Sequence, residues 1–250
     1  MIPMRVRTAA VTHTGLVRTA NEDSHLVREG EGVWLVADGM GGHANGQWAS
    51  STVARHVATA RLRGDFDADL SSLCDALQAA NAEIVAAAAG GARMGSTAVL
   101  LLIENGRFAV VWAGDSRAYL LRDGALHRLS RDHTQVQELL DRGILSPAEA
   151  ANHPMSHVLS RAVGVQAELE LEAVSDAARP RDVFLLCSDG LSGVVSEAEI
   201  AERLGSFGGE AALRRLVELV LSRGAPDNVT VVAATCEETT ALTLSPPVPA

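Results

Sequence analysis

Residues 33–46 read VWLVADGMGGHANG. A run of apolar, strand-forming residues ends on Asp38, and four glycines follow within the next eight positions. Such a run is typical of a buried strand, and Asp-Gly is one of the commonest turn signals. The stretch therefore predicts a strand that ends in one of two ways. It ends either in an ordinary turn or at a metal site, where the carboxylate would bind an ion.

The same arrangement recurs three more times in the chain. Asp115 follows the apolar run 107–113, Asp189 follows 183–187, and Asp227 lies just before 229–232. One Asp-Gly pair alone favours a turn. Strand ends at one edge of a sheet are neighbours, however, and carboxylates gathered there repel one another unless a cation lies between them. Ligand sets made only of oxygen favour Mg²⁺ or Mn²⁺ over zinc, so the four acids predict a two-metal carboxylate site.

Other apolar periodicities indicate the fold class. Strand-like runs cover 97–103, 107–113, 117–122, 125–129, 183–187 and 229–235, and helical patterns cover 47–61, 70–89, 197–204 and 210–222. Asp123-Gly124 predicts a two-residue hairpin turn, which excludes a purely parallel sheet. We therefore expect an α+β protein with antiparallel sheet packed by helices. Residues 141–165 predict a surface flap, and the proline-rich end at 239–250 a flexible tail.

Composition limits the possible functions. The 250 residues are 47% hydrophobic and 21% charged, without the roughly 18-residue apolar run of a membrane span or the apolar stretch of a signal peptide. The net charge of −10 argues against nucleic-acid binding. Three widely spaced cysteines suggest reduced thiols and a cytoplasmic location. Because the chain contains no lysine, P-loop, protein-kinase and Schiff-base chemistries are excluded.

Seven short motifs resemble one known family. They are RTANED (18–23), ADGMGGH (37–43), GST (95–97), GDSR (114–117), SRDHT (130–134), CSDGL (187–191) and PDNVT (226–230). In this order they are similar to the metal-dependent protein phosphatases of the PPM or type 2C family, in their bacterial form. The resemblance covers about residues 5–235. It implies one catalytic domain (1–238) with a central antiparallel β-sandwich flanked by helices on both faces.

The resemblance also implies a metal site with two Mn²⁺ or Mg²⁺ ions. Asp38 would bridge the two ions, the carbonyl of Gly39 would bind one of them, and Asp189 with Asp227 would complete the other. Asp115 would join Asp189 at a weaker third ion.

Further residues of the same motifs carry implied roles. Glu22 and Asp23 match an acidic pair near the second metal, acting through water. Arg18 matches the arginine that grips the substrate phosphate, and Asn228 would support Asp227.

The implied reaction is direct hydrolysis of phosphoserine and phosphothreonine by a water that bridges the metals, without a phosphoenzyme. The leaving alkoxide needs a proton. Eukaryotic members carry a histidine after the Asp-Gly pair, but this chain has Met40 there, and the nearest histidine is His43. His43 or a metal-bound water could supply the proton, and a structural role for His43 stays open.

Two questions about function stay open at this stage. Cysteine and aspartyl-phosphate phosphatases are excluded by spacing, since no arginine stands six residues after any cysteine, and Met40 replaces the second aspartate. The remaining rival is a catalytically dead scaffold, which the complete set of acids disfavours. Expected partners are phosphorylated proteins, namely a Ser/Thr kinase and its targets, or alternatively antagonists of anti-sigma factors. We expect a monomer that binds neither nucleic acid nor membrane.

Overall fold

The strands of the computed structural model form two antiparallel sheets; the model describes residues 4–42, 44–150, 153–155 and 158–238. The strands are β1 (Met4–His13), β2 (Asp23–Arg28), β3 (Val33–Met40), β4 (Gly95–Ser96), β5 (Ala98–Glu104), β6 (Arg107–Ala113), β7 (Arg117–Arg122), β8 (Ala125–Arg128), β9 (Glu172–Ala177), β10 (Val183–Cys187) and β11 (Val229–Glu238). One sheet has the order β1-β11-β10-β7-β8. The other has the order β2-β3-β5-β6-β9, and β4 pairs with β3 beside it.

Seven α-helices of the described chain lie between these strands in the sequence. They are α1 (Ala44–Thr59), α2 (Phe66–Ala88), α3 (Gln135–Asp141), α4 (Pro147–Ala150), α5 (Asp189–Ser192), α6 (Glu197–Ser206) and α7 (Gly209–Ser222). Two of the longer helices, α2 and α6, begin at clear side-chain caps. The Asp65 carboxylate accepts a hydrogen bond from the Ala68 N–H at the start of α2, and Ser196 with Glu199 forms a capping box at the start of α6.

Three layers of buried side chains join the elements into a four-layer sandwich. Residues 33–37 of β3 are all apolar because both faces of the strand are buried. Trp34 and Val36 face the other sheet, whereas Val33 and Leu35 face α1 and α2. The outer face of the first sheet packs against α6 and α7 through residues such as Leu213. The prediction of an α+β fold with helices on both faces of an antiparallel sandwich is thus confirmed.

Several predicted elements agree closely with the structure. The run 107–113 is β6, and the Asp123-Gly124 hairpin joins β7 to β8, with Arg122 opposite Ala125. Both turn residues have positive φ, 51° and 80°, as a two-residue hairpin turn requires.

The sequence reading was wrong about other elements. It omitted β1, β2 and β9, and it began α1 three residues late, at 47 instead of Ala44. The flap at 141–165 stays a prediction. Its described part contains the short helix α4, and two bridges join its end to the rest of the domain, Leu159 to Thr134 and Val163 to Ser96. The predicted tail 239–250 lies outside the described residues.

Candidate functional site

Five of the predicted acids and Arg18 line one open cavity of about 300 Å³. The cavity lies where the ends of β3, β6 and β10 and the start of β11 meet between the two sheets. Its lining includes Arg18, Glu22, Asp38, Gly39, Asp115, Asp189, Asp227 and Asn228. Residues separated by about 200 positions in the sequence are therefore neighbours here.

Strand pairing brings Asp23 and Asp38 together. Asp23 is the first residue of β2 and stands opposite Asp38 in the β2–β3 register. The two carboxylates are neighbours because of that pairing, since directly opposed residues on antiparallel strands have Cβ atoms roughly 5 Å apart. Asp23 does not itself line the cavity. Its carboxylate accepts a hydrogen bond of 2.8 Å from the Ser188 hydroxyl, in the opposite sheet.

Glycine follows Asp38 because the backbone is crowded there, and not because the chain turns. Gly39 lies inside β3, and a Cβ on it would overlap the carbonyl oxygen of Gly46 in α1. A Cβ on Gly46 would in turn overlap the Glu22 carboxylate and would lie 2.9 Å from the Gly39 carbonyl oxygen. The two glycines thus let the Glu22 carboxylate and the Gly39 carbonyl approach one another.

Asp38 is held in place by its backbone. Its N–H donates to the Thr97 hydroxyl (2.9 Å), and its carbonyl accepts from the Thr97 N–H (2.8 Å) and from the Ser96 hydroxyl (3.1 Å). The Thr97 hydroxyl also pairs with the buried Ser116 hydroxyl at 2.7 Å. The serine and threonine of the GST motif therefore hold the backbone of Asp38 in place.

The second Asp-Gly pair shows the same crowding. Asp189 begins α5, and a Cβ on Gly190 would overlap the Asn228 carbonyl oxygen. Gly39 lies within β3 and Gly190 within α5, so the ordinary-turn interpretation is wrong for both pairs.

Asn228 fixes the loop that carries Arg18. Its amide nitrogen donates to the carbonyls of Thr14 (2.8 Å) and Ala20 (2.9 Å), and its amide oxygen accepts from the Glu22 N–H (2.8 Å). This role differs from the expected support of the Asp227 side chain. Asn228 contacts Asp227 through its backbone instead, because its N–H donates a hydrogen bond to Asp227 Oδ1 at 2.8 Å.

Arg18 is held against an acid of the cavity. Its guanidinium donates to Asp227 Oδ2 at 2.6 Å, and its side chain is 52% exposed. The arginine therefore stands at the mouth of the cavity, with much of its guanidinium open to an arriving anion.

The buried carboxylates in and beside the cavity have raised pKa values because they lie close together. Burial, and then the charges of Asp23, Asp189, Asp115 and Asp227, raise the pKa of Asp38 well above its usual value. Burial chiefly raises the pKa of Asp115 to about 7, with the charge of Asp189 as the next cause. Burial also raises the pKa of Asp23 to about 6, against hydrogen bonds that lower it. Such groups become easier to ionise when a cation binds beside them.

The donor set fits hard divalent cations by its chemistry, because every donor is a carboxylate or carbonyl oxygen. One buried oxygen also has no hydrogen-bond partner, Asp23 Oδ1. Among the residues described, no group of three acidic, histidine or cysteine side chains is spaced to hold an ion by side chains alone. A cation here would need the Gly39 carbonyl or water in addition.

Asp115 and Asp189 also border a second cavity. This cavity, of about 520 Å³, extends from the two acids to α3 and α4. Arg117 forms its inner wall and is paired with Asp132 at 2.7 Å. The expected third ion would lie between the two cavities.

His43, one of the two candidate proton donors, lies outside the described residues, whereas Met40 lines the first cavity. Sequence reasoning missed Ser188 and the positioning role of Thr97. Ser188 lies inside the CSDGL motif, directly before Asp189. Its position next to a predicted metal ligand was the sequence signal that could have identified it.

Comparison with known proteins gives concordant matches. The profile of the family described as protein phosphatase 2C matches residues 9–139. The serine/threonine protein phosphatase PstP of Mycobacterium tuberculosis is 41% identical over 236 residues, which cover 93% of this chain and 45% of PstP. The chain thus spans about half of the length of that relative. The serine/threonine phosphatase stp of Listeria innocua is 34% identical over 88% of this chain and 92% of its own length.

Solved structures agree with the sequence relatives. PppA of Pseudomonas aeruginosa, described as a key regulatory component of T6SS, superposes with a TM-score of 0.88 at 40% identity, covering 94% of this chain and 99% of its own. The PstP catalytic domain in complex with two manganese ions gives a TM-score of 0.84 at 39% identity, covering 94% and 100%. In the part of the chain that is described, no helix has both the length and the apolar character needed to span a bilayer.

Proposed function

The chain belongs to the protein phosphatase 2C family, and from this membership we propose that it is a metal-dependent protein serine/threonine phosphatase. The proposal assigns the reaction to one catalytic domain, residues 1–238. Its substrates would be phosphoserine and phosphothreonine in proteins.

One observation carries the proposal. Asp38, Asp189, Asp227 and Glu22 line the same cavity as Arg18, so cation-binding oxygens and a phosphate-binding cation face one space. A scaffold that had lost catalysis would have no need to keep charges that raise one another's pKa.

The proposed metal ligands are those that the motifs imply, with Mn²⁺ or Mg²⁺ as the ions. When bound, two such cations supply Lewis acidity that lowers the pKa of a water molecule and neutralises charge on the phosphoryl group. Asp38 would bridge them, beside the Gly39 carbonyl. Asp189 and Asp227 would hold the second ion, and an additional weak ion would lie at Asp115.

The chain's own residues would position the substrate. Arg18 has a planar fork that can hold two phosphate oxygens, and its exposure at the cavity mouth supports this role. Asn228 would keep Arg18 in place through the loop that it holds. The leaving alkoxide needs a proton, for which His43 and water are both candidates. Comparing the pH profile of His43→Ala with that of wild type would separate them.

Partners and location complete the proposal. We expect a Ser/Thr kinase and its targets as the physiological partners, since bacterial relatives are named as Ser/Thr phosphatases. All three cysteines are free thiols, which supports a reducing, cytoplasmic location. A monomeric state is expected and is checked by light scattering.

The test is Mn²⁺-dependent hydrolysis of p-nitrophenyl phosphate and of a phosphothreonine peptide. Asp38→Asn should lower kcat by more than about 100-fold while the fold is kept, because one bridging charge is lost at constant size. It should also reduce the rise in melting temperature that Mn²⁺ causes. Asp75→Asn, on the exposed side of α2, is the matched control. No turnover by folded wild-type protein with metal would favour the scaffold.

A further inference from the structure

An apolar groove lies beside the catalytic cavity and has no part in the reaction described so far. Its volume is about 500 Å³, and its walls are formed by Met40, Gly41, Ala88, Ala92, Met94 and Val165. Arg93 stands at its mouth and is exposed. A volume of this size is enough for one or more side chains, and an apolar lining favours aliphatic ones.

The groove and the catalytic cavity share a wall. Met40 and Gly41 line both, so the groove begins where the cavity ends. Met40 is two residues beyond Asp38 on β3, a distance of about 7 Å in an extended strand. A substrate chain that advances roughly 3.3 Å per residue would therefore reach the groove within about three residues of its phosphorylated position.

The groove keeps exposed apolar surface that the fold does not need. Val165 is 55% exposed, although it sits beside the buried entry to β5. A Cβ on Gly95 would lie 2.7 Å from Met40 Cε and 3.0 Å from Val165 Cγ2, so these two side chains converge over Gly95. Apolar side chains brought together at the surface next to a polar cavity are typical of a recognition site.

The outer wall is held rigidly. The buried Asn81 of α2 accepts from the Gly164 N–H at 2.7 Å and donates to the Gln166 carbonyl at 3.0 Å. The preceding residue, Val163, exchanges two backbone hydrogen bonds with Ser96, of 2.8 and 2.9 Å. Val165 therefore has a fixed position, and a side chain that enters the groove would not have to order it first.

We propose that this apolar groove is a specificity subsite that receives an aliphatic side chain within three residues of the phosphorylated residue of the substrate. The inference rests on the proposed phosphatase function and narrows its substrate class. Arg93 at the mouth would disfavour a basic side chain at that position, because like charges repel. The groove binds residues that flank the phosphorylated one, so it should not affect the hydrolysis of a small substrate that lacks such residues.

The experiment uses a phosphothreonine peptide in a Gly/Ser background, with leucine placed in turn at each position from −3 to +3. In wild-type protein with Mn²⁺, leucine at one of these positions should raise kcat/KM about tenfold over serine, from partial burial of the side chain. Val165→Asp and Ala92→Trp, one changing the charge and one filling the space, should each abolish this preference. Hydrolysis of p-nitrophenyl phosphate should stay unchanged in both.

Ile144→Asp is the matched control, because Ile144 is similarly exposed, at 61%, and does not line the groove. Equal turnover of all the peptides by an active wild-type enzyme would overturn the subsite and leave the phosphatase function standing. So would a leucine preference that survives both groove variants. If Val165→Asp instead changes the oligomeric state with the preference intact, the groove binds a second copy of the chain and the subsite is refuted. No hydrolysis of any substrate would refute the phosphatase function itself.

Discussion

Replacing Asp23 with asparagine should stabilise the metal-free protein at neutral pH. Burial and the charges of Asp189 and Asp227 raise the pKa of the Asp23 carboxyl from 3.8 to about 6. The folded protein therefore holds the charged form less easily than the unfolded chain does. Asparagine has nearly the same size, and its amide oxygen can still accept the hydrogen bond from Ser188.

The size and sign of the effect follow from that pKa. A raised carboxyl pKa favours folding when the group is protonated, so this contribution is present below pH 3.8 and is lost as the pH rises through about 6. At pH 7.5 the charge costs the folded state roughly 3 kcal/mol, and at pH 5 about half as much. For a domain of this size 3 kcal/mol corresponds to about 6–12 °C in Tm.

The assay is thermal unfolding of wild type and Asp23→Asn in EDTA at pH 5 and pH 7.5, with Asp75→Asn as the control for loss of one exposed charge. The variant should be the more stable at pH 7.5, and its advantage should shrink to about half at pH 5. Mn²⁺ at 100 times Kd should cancel most of this advantage, since a cation that binds only the folded protein stabilises wild type by about 2.7 kcal/mol and should bind the variant more weakly. A variant less stable than wild type in EDTA at pH 7.5 would refute the reasoning.

Three further substitutions test the support of the site. Gly190→Ala should destabilise by about 1–3 kcal/mol and lower activity, because the new Cβ overlaps the Asn228 carbonyl; Gly205→Ala, with open space around it, should be neutral or stabilising in the same unfolding assay. Thr97→Val should lower stability by about 1–3 kcal/mol and reduce kcat, because the Asp38 N–H loses its acceptor; Thr97→Ser keeps the hydroxyl and should stay near wild type. Arg18→Ala should chiefly raise KM for the phosphopeptide. A fall in kcat alone would exclude the phosphate-binding role.

The central strands could be predicted from the sequence, whereas three of the four strands at the sheet edges, all except β8, could not. β3, β5 and β6 are buried on both faces, so an apolar run marks each of them. The omitted strands β1, β2 and β9 are all at sheet edges, where they are partly exposed and carry charged residues. Edge strands commonly carry such residues, which hide the period of two.

The acids of the site could be predicted from their positions at strand ends. The structural roles of the residues beside them could not be predicted. The pairs Asp38-Gly39 and Asp189-Gly190 were expected to favour turns. Both glycines are instead required by backbone that passes within contact distance, from Gly46 in α1 and from Asn228. Hydrogen bonds such as that from Ser188 to Asp23 join residues 165 positions apart, and a single sequence gives no signal for them.

The position of β11 has a consequence for how the protein gains activity during synthesis. This strand is the last in the described chain, yet it lies between β1 and β10, and β1 has no other neighbour in its sheet. A nascent chain released from the ribosome only up to about residue 225 would lack both that central strand and Asp227. Translation adds about 5–20 residues per second, so β1 stays unpaired for more than ten seconds before β11 is synthesised. Until then a newly made molecule should be unable to hydrolyse anything, so a cell would not be exposed to an unfinished hydrolase.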